Sequence, residues 1–167
     1  MLLYRDIISG DELFSDAFPM KVVDDFVYEV DCKMISVGGE NIDIGANPSA
    51  EDAPEDVDDA SQTVNNVVYS FRLQQTSFDK KSYMTYIKGY MKAVLKHLSE
   101  NNPERVAVFQ AKAPAFIKSI ISNIGDYDFY VSESMDPDGM VALLNYREDG
   151  ITPYFIFFRD GLKEEKL

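Results

Sequence analysis

The chain has 167 residues, of which 46% are apolar and 13% aromatic, with 16 Lys+Arg against 29 Asp+Glu, one His, one Cys and no Trp. That length fits one domain able to bury about 70% of its unfolded surface, and the apolar content excludes a chain that is disordered throughout. No uninterrupted apolar run approaches ~20 residues, which excludes a membrane-spanning helix, and a net charge of −13 argues against duplex nucleic acid, whose binders gain affinity by neutralising phosphates.

Taken in order, Leu2 to Ile8 supplies a short strand, and its Arg5 and Asp6 stand too early for a secretory leader. Phe26, Val30, Cys32 and Met34, with Tyr28 between, alternate against Glu29, Asp31 and Lys33, the period-two pattern of a half-buried strand. Between Glu40 and Ala60 stand eight acids (Glu40, Asp43, Glu51, Asp52, Glu55, Asp56, Asp58, Asp59) and no base, so this segment alone carries −8 of the −13. With Gly38-Gly39, Gly45, Pro48 and Pro54 and few aliphatic residues, the stretch 38–65 reads as a long mobile acidic loop, either a solvated spacer or a binding loop.

Beyond it, Val67, Tyr69, Phe71 and Leu73 alternate with Ser70, Arg72 and Gln74 and predict another strand. From Asp79 to Ser99, Tyr83, Tyr86, Ile87, Tyr90, Met91, Val94 and Leu98 recur at spacings of three and four, while Lys81, Lys88, Lys92 and Lys96 share the opposite face. This is an amphipathic helix with a basic stripe roughly 22 Å long. Asn102 is placed to cap a second helix with Pro103 at its first position, and Val106, Phe109, Phe116, Ile117, Ile120, Ile121 and Ile124 mark that helix. Pro114 predicts a kink or restart, and Gly125 a stop. Tyr127 to Ser132 is a short strand, and Met140–Arg147 and Thr152–Arg159 form a hairpin across Glu148-Asp149-Gly150. Strands, helical hairpin, then strands predict an α+β protein whose sheet is drawn from both ends of the chain.

Reactive chemistry is sparse. No glycine-rich phosphate loop is present, and one His with one Cys leaves a zinc site short of its usual ligands. His97, at the edge of the long helix's apolar face, reads as structural, and Cys32 as a small core residue. Lone Cys32 also offers no intrachain disulfide, so a cytoplasmic location is expected. The acids Glu51, Asp52, Glu55, Asp56, Asp58 and Asp59 lack EF-hand spacing, so calcium there is expected to bind weakly. Asp136-Pro137-Asp138-Gly139 reads as a turn. The row Lys81, Lys88, Lys92 and Lys96 is either a solvated face or a dock for an acidic partner.

Specific residues carry a resemblance. Ile44-Gly45-Ala46-Asn47-Pro48-Ser49-Ala50-Glu51 and the stretch Met140 to Tyr154 with Phe157-Phe158-Arg159-Asp160-Gly161-Leu162 resemble the two signatures of the translationally controlled tumour protein family. Tyr4-Arg5-Asp6, Ser9-Gly10-Asp11-Glu12 and Tyr86-Ile87-Lys88-Gly89-Tyr90-Met91-Lys92 match as well. The resemblance implies a β-tent core, related to Rab chaperones and B-type methionine sulfoxide reductases, made of residues 1–37, 66–76 and 126–167. It further implies an inserted α-helical hairpin over 77–125 and a flexible acidic loop over 38–65.

The family resemblance also implies a non-enzymatic cytoplasmic adaptor of protein synthesis and growth, with cytoskeletal association. Its implied partners are a small GTPase or elongation factor, the ribosome and tubulin in microtubules; no membrane partner and no cofactor beyond weakly bound calcium are expected, and a monomer is. The family's GTPase-facing acids fall on Glu12 and Glu133, whereas the lysine that animal members place before the helix tyrosine is Thr85 here. Lys81, Lys88, Lys92 and Lys96 are the candidates for meeting acidic tubulin tails. The rival readings are a sulfoxide reductase using Cys32 and a calcium buffer using the loop.

Overall fold

A computed structural model describes residues 1–37 and 62–167. Eleven strands and three α-helices are described: β1 (Leu2–Asp6), β2 (Glu12–Ser15), β3 (Met20–Val23), β4 (Val27–Asp31), β5 (Met34–Val37), β6 (Gln62–Asn65), α1 (Asn66–Phe71), β7 (Gln74–Thr76), α2 (Lys80–Asn101), α3 (Val106–Ser122), β8 (Asp128–Val131), β9 (Ala142–Tyr146), β10 (Pro153–Phe158) and β11 (Leu162–Lys166). They form an antiparallel six-stranded sheet in the order β3-β4-β10-β9-β8-β7, a three-stranded sheet β11-β1-β2 and the pair β5-β6. The fold is α+β with a helical hairpin, as the periodicities predict.

Strand β10 is inside the larger sheet, and its unbroken apolar run Tyr154-Phe155-Ile156-Phe157-Phe158 suits a strand covered on both faces. Successive side chains point to opposite faces. Phe157 therefore stacks on Phe14 of β2 (centroids 4.4 Å), while Phe158 packs against Phe26, Tyr90 of α2 and Phe116 of α3. The small sheet covers one face and helices α2 and α3 the other, and one buried cluster runs through all three layers. Arg147 ties the β9–β10 hairpin to β4 through Asp31 (2.6 Å) and Glu29 (2.5 Å).

The long helix is where its spacing puts it: Tyr83, Ile87, Tyr90, Met91, Val94 and Leu98 are buried, and Lys81, Lys88, Lys92 and Lys96 are exposed. Asp79 and Ser82 close a reciprocal cap at its start. The hairpin turn also holds, with Gly150 at φ +72° and the Asp149 carboxylate accepting from the N–H groups of Ile151 and Thr152. Asp136 to Gly139 is a turn, the Gly139 N–H donating to the Asp136 carbonyl.

Several expectations need correction. Residues 66–76 are not one strand: Asn66–Phe71 is helix α1, because the Asn65 side chain accepts from the N–H groups of Val67 (2.9 Å) and Val68 (3.2 Å) and caps it. The predicted loop ends before Asn65, since Gln62–Asn65 pairs with β5. Its acidic part, with Glu51, Asp52, Glu55, Asp56, Asp58, Asp59 and the Ile44–Glu51 signature, lies outside the described residues. The strand from Phe26 does not reach Met34, which is 52% exposed; pairing with β10 stops at Asp31, and β5 turns to pair with β6. Asn102 makes no side-chain cap. The helix does not restart at Pro114 but runs through it, the proline lying on the solvent side where water can reach the carbonyl it leaves unpaired.

A candidate partner-binding surface

The connection between β1 and β2 is a tight turn. The Asp6 N–H donates to the Asp11 carbonyl (2.9 Å) and the Gly10 N–H to the Asp6 carbonyl (2.8 Å), with Gly10 at φ +79°. Two carboxylates then fasten the distant 132–140 segment to this turn. Asp11 accepts from Ser132 Oγ (2.7 Å) and the Ser134 N–H (3.0 Å), and Asp6 from the Met140 N–H (2.7 Å), the Ile8 N–H and Ser9 Oγ. Burial pushes the Asp11 carboxyl up, but the bonds from Ser134 and Ser132 outweigh it and leave its pKa below the ordinary value. At Asp6 burial wins, and its pKa lies above the ordinary value despite the bonds from Ile8, Met140 and Ser9.

Glu133 sits between the two clamped residues Ser132 and Ser134, and Glu12 follows Asp11. The two glutamates accordingly line one surface depression of about 240 Å³, shared with Arg5, Asp11, Phe71 and Arg72. Arg5 approaches Glu12 at 3.6 Å while bonding Glu165 and the Gly10 carbonyl. Arg72, at the end of α1, meets Glu133 at 3.3 Å. The structure thus brings together Glu12 and Glu133, the acids picked out by resemblance. Arg72 has no signal in the sequence, where the alternation of Val67, Tyr69, Phe71 and Leu73 predicts a strand in place of the helix that Arg72 ends. Asp11 lies in the run Ser9-Gly10-Asp11-Glu12, but only the tertiary contact to Ser132 shows what it holds.

None of the four stripe lysines lines this depression. They stay on the solvent face of α2, whose Thr85, Tyr86 and Gly89 wall a separate groove of about 730 Å³ facing Met135 and Val141. Tyr86 Oη donates to the Gly139 carbonyl (2.7 Å) and accepts from the Val141 N–H (2.9 Å), so the 132–141 segment is anchored to the helix as well. His97 borders a polar cleft with Tyr28, Arg105 and Asp160. Cys32 is buried, and burial pushes its thiol up to about 11. Among the described residues no group of three or more His, Cys, Asp or Glu side chains is arranged to hold a metal ion, and no helix is long and apolar enough to cross a membrane.

Residues 1–163 match the family model described as translationally controlled tumour protein. The chain belongs to that family. It is similar to the translationally-controlled tumor protein homolog of Schizosaccharomyces pombe, 66% identical over 168 residues and covering all of both chains, and to that of Saccharomyces cerevisiae, 58% identical over 167 residues with the same coverage. A solved structure of the Schizosaccharomyces pombe protein matches with a TM-score of 0.84 over the whole of both chains at 66% identity. The translationally controlled tumour protein of Caenorhabditis elegans, solved by NMR, matches with a TM-score of 0.73 at 33% identity, over 100% of this chain and 99% of that one. The turn, the clamp and the Glu12–Glu133 depression therefore lie inside the matched region.

Proposed function

We propose that this member of the translationally controlled tumour protein family is a non-enzymatic adaptor of protein synthesis and growth. In this reading it binds small GTPases or elongation factors through the surface around Glu12 and Glu133 and associates with ribosomes. The observation that carries the reading is convergence: the two acids share one depression, on backbone fastened by Asp6 and Asp11. A preorganised surface loses less entropy on docking. The buried, poorly acidic thiol of Cys32 opposes a reductase, which needs an accessible thiolate.

The test is capture of GTPases and elongation factors by the immobilised chain, with the bound proteins identified and affinities remeasured on purified partners. Glu12→Ala and Glu133→Ala are each expected to weaken binding, by ~1 kcal/mol for a rim contact and ~2 to 5 for a desolvated one. Undiminished affinity in the double variant counts against this surface.

A second reading, microtubule binding, is favoured by the exposure of Lys81, Lys88, Lys92 and Lys96 along one helix. It predicts co-sedimentation that fades as salt rises and is lost when the four are changed to Ala; co-sedimentation persisting at high salt points elsewhere.

A further inference from the structure

We infer that Arg72 is a partner-contacting residue of the Glu12–Glu133 surface, and that the protein docking there offers an acidic side chain to Arg72 beside the basic groups it offers to the two glutamates. This rests on the reading above and adds to it a requirement on the partner's chemistry.

Arg72 closes α1 in the left-handed region (φ 55°, ψ 42°). L side chains enter that region at a cost, and helices ordinarily place glycine there. A residue kept only to end the helix would serve better as glycine. The Arg72 side chain is 68% exposed and is paired with a Glu133 that is itself 56% exposed. Such pairs contribute little to stability, so stability does not explain the arginine, and the pair opens at little cost.

The two arginines of the depression differ in this respect. Arg5 is held by the Gly10 carbonyl and Glu165 as well as approaching Glu12, whereas Arg72 leans out beside Glu133. One turn earlier on the same helix Tyr69 is 57% exposed. Tyrosine and arginine are the residue types that dominate binding hot spots. A partner presenting only basic groups would meet Arg72 as a like charge at the mouth of the site. One that also carries an acid there converts the repulsion into attraction and fixes the docking register.

The test uses the full chain and a purified small GTPase or elongation factor that the wild type captures. Arg72→Ala is expected to weaken binding about fivefold or more, Arg72→Glu to weaken it further, and Arg72→Lys to recover part of the loss. In a Glu133→Ala background, Arg72→Ala should still lose about threefold, which a residue acting only by orienting Glu133 would not. Arg72→Gly should lose binding while its melting temperature stays level or rises. The inference is overturned if Arg72→Ala binds as wild type while Glu12→Ala and Glu133→Ala are weakened, or if Arg72→Ala is silent in the Glu133→Ala background. A melting temperature of Arg72→Gly lower by about 3 °C or more overturns it too, since the arginine is then structural. If neither glutamate variant loses affinity, or the wild type captures no such protein, the surface reading falls and this inference with it.

Discussion

The backbone N–H of Cys32 donates to the Pro153 carbonyl (2.9 Å), and its thiol lies 3.6 Å from the Val30 carbonyl beneath the sheet. Burial pushes the thiol up to about 11, so at pH 8 only about a thousandth of it is thiolate. A disulfide-exchange reagent at pH 8 is therefore expected to leave the native chain unlabelled and to react stoichiometrically once denaturant is added; fast labelling of the native chain would contradict this burial. Gly161 shows how tightly single residues are constrained. A Cβ there would collide with the Tyr90 hydroxyl and come within 2.7 Å of the Met140 methyl. Both neighbours are buried, so neither can swing away. Gly161→Ala should cost about 1–3 kcal/mol, read as a lower urea midpoint at unchanged slope. The identity of Cys32 as a core residue was legible from alternation alone, whereas the need for glycine at 161 depends on a tyrosine 71 positions away.

At the scale of elements, the helical hairpin is fastened to the sheet by Arg105 in the connection between α2 and α3. Its guanidinium donates to both carboxylate oxygens of Asp160 (2.8 and 2.9 Å), to the Asp25 carboxylate (2.8 Å) and to the Asp25 carbonyl (2.7 Å). Asp24 and Asp25 both have φ +56°, the conformation that the β3–β4 turn requires, and Arg159 adds a second ion pair to Asp25. The Asp160 side chain is 4% exposed and that of Arg105 13%. Arg105→Ala strands a buried carboxylate and should cost about 3–5 kcal/mol, whereas Asp25→Ala, at the exposed end, should cost distinctly less in the same denaturation assay. Elements with a long repeat, α2 above all, could be read from spacing. Helix α1 could not: in six residues the alternation Val67, Tyr69, Phe71 satisfies a strand pattern, and the cap from Asn65 decides otherwise. Strands β2, β3, β7 and β11 are edge strands, the first buried at three consecutive positions and the others exposed or half-buried throughout, so none carries the period-two alternation that marks a strand in sequence.

Over the whole molecule, the carboxylates set the acid limb of stability. At Asp79 and Asp149, bonds from Ser82 and from Thr152 and Ile151 hold the pKa below the ordinary value; at Asp25 the bond from Arg105 does so, and at Asp11 those from Ser134 and Ser132 overcome burial. Each depressed group contributes stability present above its unfolded pKa and lost as pH falls through its folded value. Asp6 works in the opposite direction: raised by burial, its contribution is present below the unfolded pKa and lost as pH rises through its folded value. Among the described residues, these four depressed groups against the raised Asp6 predict a melting temperature that falls as pH drops below about 4. A melting temperature that climbed through that range would contradict the assignment.

The amino-acid sequence by itself determined the long helices, the β9–β10 hairpin, the burial of Cys32 and the family, because each is written in local spacing or in a contiguous motif. Only the tertiary structure decided that Glu12, Glu133 and Arg72 form one surface. Asp11 and Ser132 are 121 residues apart, and what joins them is a hydrogen bond made only after β1, β2 and the larger sheet have packed. Local pattern reports on a residue's own backbone and its burial. It carries no record of which distant side chain will arrive beside it.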